Sequence, residues 1–372
     1  MSRLVSLDAF RGFLMMMIIG LDAFFWELGR WIYGGPNWLS SAFSHREWFG
    51  LSFYDCIFPA FLFVAGLSFP FSYARQLEKG LTKSRIHLKI FRRAAILVAL
   101  GWVVNGVFQV GFGELRYGSV LGKIGLGWMF AALYFIHFRR AARILICAAL
   151  VGGFALLLNL FVAPDFPNAS PFSVEGNIIG WLERQTMPGT LICGATIDGV
   201  SYPSLFDPSG LYMSFFAAAT AMLGMFAGEI IRAERFSGNR RTLHLLVLAA
   251  GLLLAGGAMA LVVPVSKKLW SPSFLLLVGG GSTALFAFFY WVADVRMCRW
   301  WTPFFVVVGL NSITIYVLNH IVNFDGISKF FLGGVITGLS PSGQACLLGA
   351  GHFAACWFVT WFLYRRKFFL KV

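Results

Sequence analysis

Long apolar runs alternate with short polar stretches along the whole chain. About ten of these runs reach roughly 20 residues, the length that a helix needs to cross a hydrocarbon core of about 30 Å. Runs of that length with few charges predict transmembrane helices rather than buried helices of a soluble domain. We therefore predict an all-α, polytopic membrane protein with about 10 transmembrane helices. Their predicted ranges are 7–26, 50–72, 94–112, 119–136, 141–163, 208–231, 243–263, 272–293, 302–322 and 342–364.

The composition supports this fold class. Of 372 residues, 58% are hydrophobic and only 12% are charged, against roughly 25% charged in a typical soluble domain. No A-x-A-like cleavage site follows the first apolar run, so we expect a retained helix rather than a signal peptide. The six cysteines lack metal-ligand spacing, and we predict neither a metal site nor a disulfide framework. We expect one transmembrane domain over residues 1–372.

The net charge of +14 would suit a nucleic-acid ligand, but its distribution indicates a membrane orientation instead. Most of the basic residues lie at the termini and in alternate loops. Basic loops remain in the cytoplasm, so we predict cytoplasmic termini and no nucleic-acid partner. The loop at 164–207, rich in Pro, Asn, Asp and Ser, is expected outside the membrane on the opposite side. The basic segments are Arg75 to Arg93, Arg139 to Arg143, Arg232 to Arg241, Arg296 and Arg299, and Arg365 to Lys371.

Ionisable residues near the outer ends of the first two spans are candidates for chemistry, because such residues are costly in a membrane. Asp22 lies near the end of the first span, His45 in the following loop and Asp55 early in the second span. A helical hairpin brings all three to a similar depth. An imidazole beside a carboxylate can take a proton from a nucleophile, although a lone loop histidine is more often a solvated residue.

Two further charged pairs each have a structural and a functional interpretation. Asp8 and Arg11 share one helical face, where they form either an internal ion pair or a site for a substrate phosphate. Lys267 and Lys268 lie on the poorly basic side beside Trp270, where they either anchor the interface or hold an anionic group. His320 is the other histidine in a plausible catalytic position.

Five ordered blocks resemble the heparan-α-glucosaminide N-acetyltransferase family and its bacterial relatives, over residues 3 to about 320. The second block resembles the family pattern His-x-x-Trp-x-Gly…Asp-Leu-x-Phe-Pro. A further segment, Leu121-Gly-Lys123-Ile-Gly-Leu126, departs from a family pattern that has Gln-Arg at its centre. The blocks are Arg3-Leu-Val-Ser-Leu-Asp8-Ala-Phe-Arg11-Gly12, His45 to Pro59, Asp207-Pro-Ser-Gly210, Lys267 to Phe274 and Gly309-Leu-Asn311-Ser312.

The resemblance implies acetyl transfer from cytoplasmic acetyl-CoA to a glucosamine amine across a bacterial inner membrane, with His45 as the catalytic base. The family's partner asparagine falls on Asp22 by motif distance, and an Asp can charge-stabilise an imidazolium that an Asn only orients. Relatives suggest a homodimer. The remaining expected roles are cofactor binding by Arg11, Asp8, Asp55 and Asn311, and substrate binding by Asp207, Lys267, Lys268 and His320.

Two alternatives remain open at this stage. An amino-sugar permease would also carry polar residues within its spans, although no internal repeat of the kind common in transporters is visible. An O-acetyltransferase of an envelope polysaccharide would use the same histidine but accept a hydroxyl in place of an amine.

Overall fold

The computed structural model describes residues 4–370 and is mostly helical. Arg3, which opens the first motif, and Lys371, at the end of the last basic segment, lie outside the described residues. The helices are α1 Val5–Met16, α2 Asp22–Tyr33, α3 Trp38–Ala42, α4 Ile57–Glu78, α5 Lys83–Val104, α6 Val107–Val110, α7 Val120–His137, α8 Arg140–Leu160, α9 Ile178–Thr186, α10 Leu211–Arg232, α11 Gly238–Met259, α12 Pro272–Tyr290, α13 Thr302–Leu310, α14 Ser312–Ile321, α15 Phe324–Leu332 and α16 Pro341–Arg365.

Within residues 4–370, eight helical segments are long and apolar enough to cross a membrane, or nine if the bent pair α13 and α14 forms one span. The chain is therefore a multi-pass membrane protein. The predicted span 94–112 is not among them: helix α5 overlaps only its first part, and the first half of α5 carries too many Lys and Arg residues to count by composition. The eight segments are Val5–Tyr33, Tyr54–Glu78, Val120–His137, Arg140–Leu160, Leu211–Arg232, Gly238–Met259, Pro272–Val295 and Pro341–Arg365.

Several predicted boundaries are wrong. The predicted basic loop from Arg75 to Arg93 is mostly helical, since α4 ends at Glu78 and α5 begins at Lys83. Long cationic side chains can extend from a helix end into water, so a basic stretch does not by itself end a helix. The predicted span 302–322 is bent by 68° between α13 and α14.

The loop predicted at 164–207 contains regular structure of its own. Helix α9 lies within it, followed by an antiparallel hairpin of β1 Cys193–Ile197 and β2 Val200–Phe206. This hairpin is the exception to the predicted all-α fold in the described part of the chain. Its strands are short and mostly exposed, so their alternation does not stand out among the turn residues.

The first span is interrupted by a π turn at Met17–Leu21. Gly20 has a φ of 122° there, a conformation that residues with a Cβ rarely adopt. Such π turns are frequent at functional sites because they redirect the following turn of helix. The interruption sets the direction in which α2 presents its first residue, Asp22.

Small residues hold α4 tightly against α10. A Cβ at Gly66 would collide with the backbone of Ala221, and a Cβ at Gly224 would collide with the backbone of Phe63. Close backbone approach through small residues is the usual means of packing helices in membranes. This contact fixes α4, which carries the candidate site at one end.

Candidate active site

His45 contacts a buried carboxylate at the start of the second span. Its Nδ1 lies 2.8 Å from Oδ1 of Asp55, and the His45 side chain is 55% exposed while that of Asp55 is fully buried. Because a carboxylate only accepts hydrogen bonds, Nδ1 carries the proton and donates it to Asp55. Nε2 then keeps its lone pair, so the exposed imidazole is oriented as a base.

A single 3₁₀ turn, Tyr54–Cys56, holds the Asp55 carboxylate in place just before α4. The hydroxyl of Ser52 accepts from the Asp55 N–H at 3.1 Å and donates to Oδ2 of Asp55 at 2.9 Å. Oδ2 also accepts from the backbone N–H of Arg46 at 3.2 Å. With both oxygens engaged, the carboxylate is oriented before any ligand binds, and it orients His45 in turn.

Lys267 approaches the same pair from a distant part of the sequence. Its Nζ lies 3.2 Å from Oδ1 of Asp55 and 3.0 Å from Nδ1 of His45. Since a protonated Nδ1 has no lone pair to offer, the partner of the ammonium is the carboxylate. Burial lowers the pKa of Lys267, and the negative charge of Asp55 partly opposes that effect. The site thus holds one carboxylate between an imidazole and a lysine.

Asp22 reaches His45 through Tyr54. The Tyr54 ring stacks on the imidazole with ring centres 4.7 Å apart, and its hydroxyl hydrogen-bonds with the Asp22 carboxylate. The sequence predicts Asp22 at the imidazole nitrogen, whereas the structure places Asp55 there. The π turn at Met17–Leu21 changes the helix direction just before Asp22. The sequence prediction used only the depth of each residue in the helical hairpin, which does not reveal that change.

A cavity of about 600 Å³ opens beside this pair, and we call it the His45 cavity. The predicted substrate-side residues Lys267, Lys268 and His320 all line it. Nδ1 of His320 donates to the Tyr316 carbonyl at 2.8 Å, which leaves its Nε2 able to accept a proton or a hydrogen bond. The cavity therefore combines an oriented base with several polar groups, as a binding site for a small polar molecule requires.

Asp207, predicted to bind substrate, lies buried behind the wall of this cavity and holds Arg116. Nε and Nη2 of Arg116 donate to its two oxygens at 2.7 Å each. Burial lowers the pKa of Arg116, but the hydrogen bonds and charge of Asp207 outweigh burial and raise it. Arg116 lines the His45 cavity, so Arg116 is the member of the pair that can meet a ligand.

Two more ionisable side chains, Lys123 and Glu183, are fully buried beneath this wall. Nζ of Lys123 donates to the Pro208 carbonyl at 2.8 Å and lies 3.7 Å from the centre of the Trp270 ring. Oε2 of Glu183 accepts from the Asp207 N–H at 3.0 Å. The segment around Asp207 is thus held from two sides, which fixes the part of the wall that Pro208 contributes.

Replacing Glu183 by glutamine is expected to remove a pH-dependent loss of stability. Burial raises the pKa of Glu183 from 4.5 to about 8, so the unfolded state binds fewer protons between those values. Stability therefore falls as the pH rises from about 4.5 to about 8, by about 1.4 kcal/mol per pH unit at most. Glutamine keeps an acceptor for the Asp207 N–H but does not ionise.

Thermal unfolding in detergent, measured at several values from about pH 5 to about pH 9, tests this linkage. The wild-type Tm should fall toward pH 8 relative to that of Glu183→Gln. The exposed Glu234→Gln is the matched control and should follow the wild type. If the curves of wild type and Glu183→Gln run parallel, Glu183 is ionised in the folded protein at neutral pH.

A second cavity, of about 310 Å³, adjoins the His45 cavity toward the other end of α4. Arg11 and Arg93 line it together with Ser68 of α4, and we call it the Arg11 cavity. Arg11 also lies 3.7 Å from Asp8, so the ion pair predicted from the sequence is present while Arg11 still faces this cavity. The neck between the two cavities is formed by the residues that line both, Ile18, Phe58, Val120 and Tyr316.

A third cavity, of about 410 Å³, adjoins the Arg11 cavity at Ser68, and we call it the Asp8 cavity. Its basic side chains are Arg75, Lys79 and Lys89. The helical segment Tyr54–Glu78 lines all three cavities in order along its length, which is roughly 37 Å for 25 residues. A row of cavities therefore follows one membrane span from end to end.

The predicted cofactor residues lie at different points along this row. Arg11 and Asp8 line the second and third cavities, whereas Asp55 lines the His45 cavity and orients the imidazole. Asn311 lies at the bend between α13 and α14 and is 1% exposed. Neither of its amide atoms has a hydrogen-bond partner in the described part of the protein, and its neighbours Leu310 and Ser312 line the Arg11 cavity.

Comparison with known proteins shows which family this chain is similar to. Residues 3–176 match the family model described as "Heparan-alpha-glucosaminide N-acetyltransferase, catalytic". The matched range contains Arg11, His45 and Asp55. Over this range the chain is similar to the heparan-alpha-glucosaminide N-acetyltransferases. This confirms the resemblance drawn from the motifs.

Two curated relatives in this family carry the name heparan-alpha-glucosaminide N-acetyltransferase. The Homo sapiens protein is 25% identical over 364 residues, covering 85% of this chain and 52% of the relative. The Mus musculus protein is 23% identical over 420 residues, covering 100% of this chain and 61% of the relative. The chain thus spans between half and two thirds of the length of these family members.

Sequence reasoning missed four residues that line the row of cavities. Tyr54 and Tyr316 are aromatic residues within apolar runs, where nothing distinguishes them from core residues. Arg93 belongs to a basic segment and was expected in a loop, while Arg116 lies in a short connection between spans. Each has a polar group in or near a predicted span, a signal that many structural residues share.

Proposed function

We propose that the protein is a transmembrane N-acetyltransferase that moves acetyl from cytoplasmic acetyl-CoA to the amine of a glucosamine-like sugar on the periplasmic side. The observation that carries this proposal is the row of three cavities that ends at His45 and Asp55. A donor and an acceptor from opposite sides can meet only along such a path. The relatives are named for N-acetyl transfer to a glucosaminide, which supports the same reaction.

The donor enters at the basic end of the row. Arg75, Lys79 and Lys89 suit the phosphates of a nucleotide in the Asp8 cavity, since charge-assisted hydrogen bonds to phosphate are strong. The narrow Arg11 cavity, lined largely by apolar residues, suits the extended arm that carries the thioester. Arg11 and Arg93 flank the entrance to that arm. The thioester then reaches the neck beside Tyr316, next to the His45 cavity.

The oriented imidazole performs the proton transfers. The sugar nitrogen attacks the thioester carbonyl carbon and forms the C–N bond, while Nε2 of His45 takes a proton from that nitrogen. The C–S bond then breaks, and the imidazolium returns the proton to the departing thiolate, which yields an amide and a thiol. Asp55 accepts the Nδ1–H hydrogen bond throughout and stabilises the imidazolium between these steps.

The acceptor occupies the His45 cavity. Arg116, Lys268 and His320 line its wall and offer hydrogen bonds to sugar hydroxyls. Asp207 acts through Arg116 and does not itself contact the sugar. In this arrangement the uncharged amine of the sugar faces Nε2 of His45.

The proposed direction of transfer rests on the distribution of basic residues. Both termini and the basic ends of α4 and α5 lie in the cytoplasm, and the loop that contains α9, β1 and β2 lies in the periplasm of a bacterial cell. Asn168 and Asn239 are exposed residues in connections predicted on opposite sides. Cysteines introduced at these positions therefore report orientation, in a background where Cys193 and Cys298 are replaced by serine.

An assay in proteoliposomes tests the proposed function. Glucosamine labelled in the sugar is trapped inside, acetyl-CoA is added outside, and orientation is measured separately by an impermeant thiol reagent on Asn239→Cys and Asn168→Cys preparations. We expect N-acetylglucosamine to form inside, in proportion to the fraction of protein with residue 239 outward. The control preparation omits acetyl-CoA and should show neither product nor loss of trapped sugar.

Two other results would each replace this proposal. Release of unmodified sugar without acetyl-CoA would identify a permease. Acetyl groups found on a hydroxyl of an oligosaccharide, with none on the amine, would identify an O-acetyltransferase. The location of the new acetyl group by mass spectrometry separates the two enzymes.

A further inference from the structure

A second imidazole–carboxylate pair lies near the His45 cavity and has no part in the proposed proton transfer. His352 of α16 places Nδ1 2.8 Å from Oδ1 of Asp325 in α15, and Nε2 2.8 Å from Oδ1 of Asn319 in α14. Sγ of Cys356 also lies 3.5 Å from Oδ1 of Asn319. Asn319 lines the His45 cavity, so this cluster connects the last helix with the wall of the site.

The hydrogen bonds hold the His352 ring between two oxygen atoms. The carboxylate of Asp325 faces Nδ1, and the amide oxygen of Asn319 faces Nε2. The Asp325 side chain is 76% exposed, so that end of the cluster reaches the protein surface. Among titratable groups in residues 4–370, Asp325 and the Cys356 thiol face this cluster.

The same bonds determine which end of the Asn319 amide remains available. Oδ1 already accepts from His352 and from the Cys356 thiol. Nδ2 has no acceptor among the residues that the structure describes. A half-buried amide with an occupied oxygen and an unused NH₂ can offer only a donor to a ligand in the cavity.

The first span limits the movement of the His352 ring. A Cβ at Gly20 would lie 3.0 Å from Cδ2 of His352, so the ring packs directly on the π turn that precedes Asp22. His352 is therefore held between that turn and Asn319. If the cluster of His352, Asp325 and Asn319 served only to join helices, the Asn319 amide would not need to line the cavity.

We propose that Nδ2 of Asn319 donates a hydrogen bond to a hydroxyl or carbonyl oxygen of the acceptor sugar. His352 and Asp325 are positioning residues that keep the amide in that orientation. The identity of the ligand as an acceptor sugar rests on the function proposed above. The proposed hydrogen bond from Nδ2 itself applies to any sugar that binds in the His45 cavity.

The test compares Asn319→Ala, Asn319→Asp, His352→Ala and His352→Gln in the full-length protein. Loss of one hydrogen bond should raise the KM for glucosamine roughly threefold to tenfold, with the KM for acetyl-CoA and kcat within about twofold. Asn319→Asp replaces the donor by an acceptor and should be at least as impaired as Asn319→Ala. His352→Gln supplies an N–H toward Oδ1 and should recover part of the affinity that His352→Ala loses.

Equilibrium binding of glucosamine without acetyl-CoA, measured by calorimetry in detergent, provides a readout that does not depend on acetyl transfer. The dissociation constant should rise by the same factors as the KM. An unchanged constant in folded Asn319→Ala would overturn the proposal, as would equal rises in the KM of both substrates. Absence of acetyl transfer in a wild-type protein that binds the sugar would instead refute the proposed function and leave this test in place.

Discussion

Replacement of His45 by alanine is expected to lower acetyl transfer to glucosamine by about 10²- to 10⁴-fold, the range that general acid–base catalysis commonly contributes. The imidazole is the proposed base and is half exposed, and Nε2 is the ring nitrogen that does not contact Asp55. Because the proposed donor site lies in the other cavities of the row, binding of acetyl-CoA should remain close to that of the wild type. Initial rates and acetyl-CoA binding on purified protein measure the two effects separately.

His244→Ala is the matched control for this change. His244 is an exposed histidine whose Nδ1 contacts its own helix at the Arg240 carbonyl, 2.6 Å away. Its replacement should leave the rate within about twofold of wild type, as surface substitutions usually do. Wild-type turnover in a folded His45→Ala protein would exclude the proposed mechanism.

The second large effect is expected from a pair of identical changes, Asp55→Asn and Asp22→Asn. Asp55→Asn should lower kcat by roughly 10²-fold or more, because an amide can present N–H to Nδ1 and so move the imidazole proton to Nε2. It also removes the charge that stabilises the imidazolium. Asp22→Asn should cost less than about tenfold, since Asp22 acts through the hydroxyl of Tyr54 and an amide still forms that hydrogen bond.

The ranking of the two variants decides which carboxylate orients the base. Comparable KM values for both substrates would place the loss in the chemical step. Both variants must be shown folded by their unfolding temperatures, because Asp55 is buried and holds the turn before α4. A larger loss of kcat in Asp22→Asn than in Asp55→Asn would show that Asp22, and not Asp55, orients the imidazole.

The sequence was sufficient for the membrane class and for the depth of the candidate residues. Apolar run length predicts spans directly, and a hairpin between the first two spans brings His45 and Asp55 to one level. The depth of a residue in the membrane does not predict the direction in which its side chain points. That direction depends on the π turn before Asp22 and the 3₁₀ turn at Asp55, which are local departures from helical geometry.

Contacts between distant segments were beyond sequence reasoning for a related reason. Arg116 pairs with Asp207, 91 residues away, and Lys267 meets Asp55 from a different pair of spans. A single sequence considered by itself contains no record of which spans pack together. The buried Lys123 was visible as a charge within an apolar run, yet its acceptor, the Pro208 carbonyl, is a backbone group with no sequence signature.

The row of cavities bears on the ion gradients that the membrane stores as an energy source for the cell. An open path along an entire membrane span would dissipate the ion gradients that the membrane maintains. At the neck this path is lined by Ile18, Phe58 and Val120 together with Tyr316. A constriction with mostly apolar walls resists continuous wetting, and without a water column protons and other ions do not conduct. In the proposed reaction, the neck would let an acyl group reach its partner while it insulates the two compartments electrically from each other.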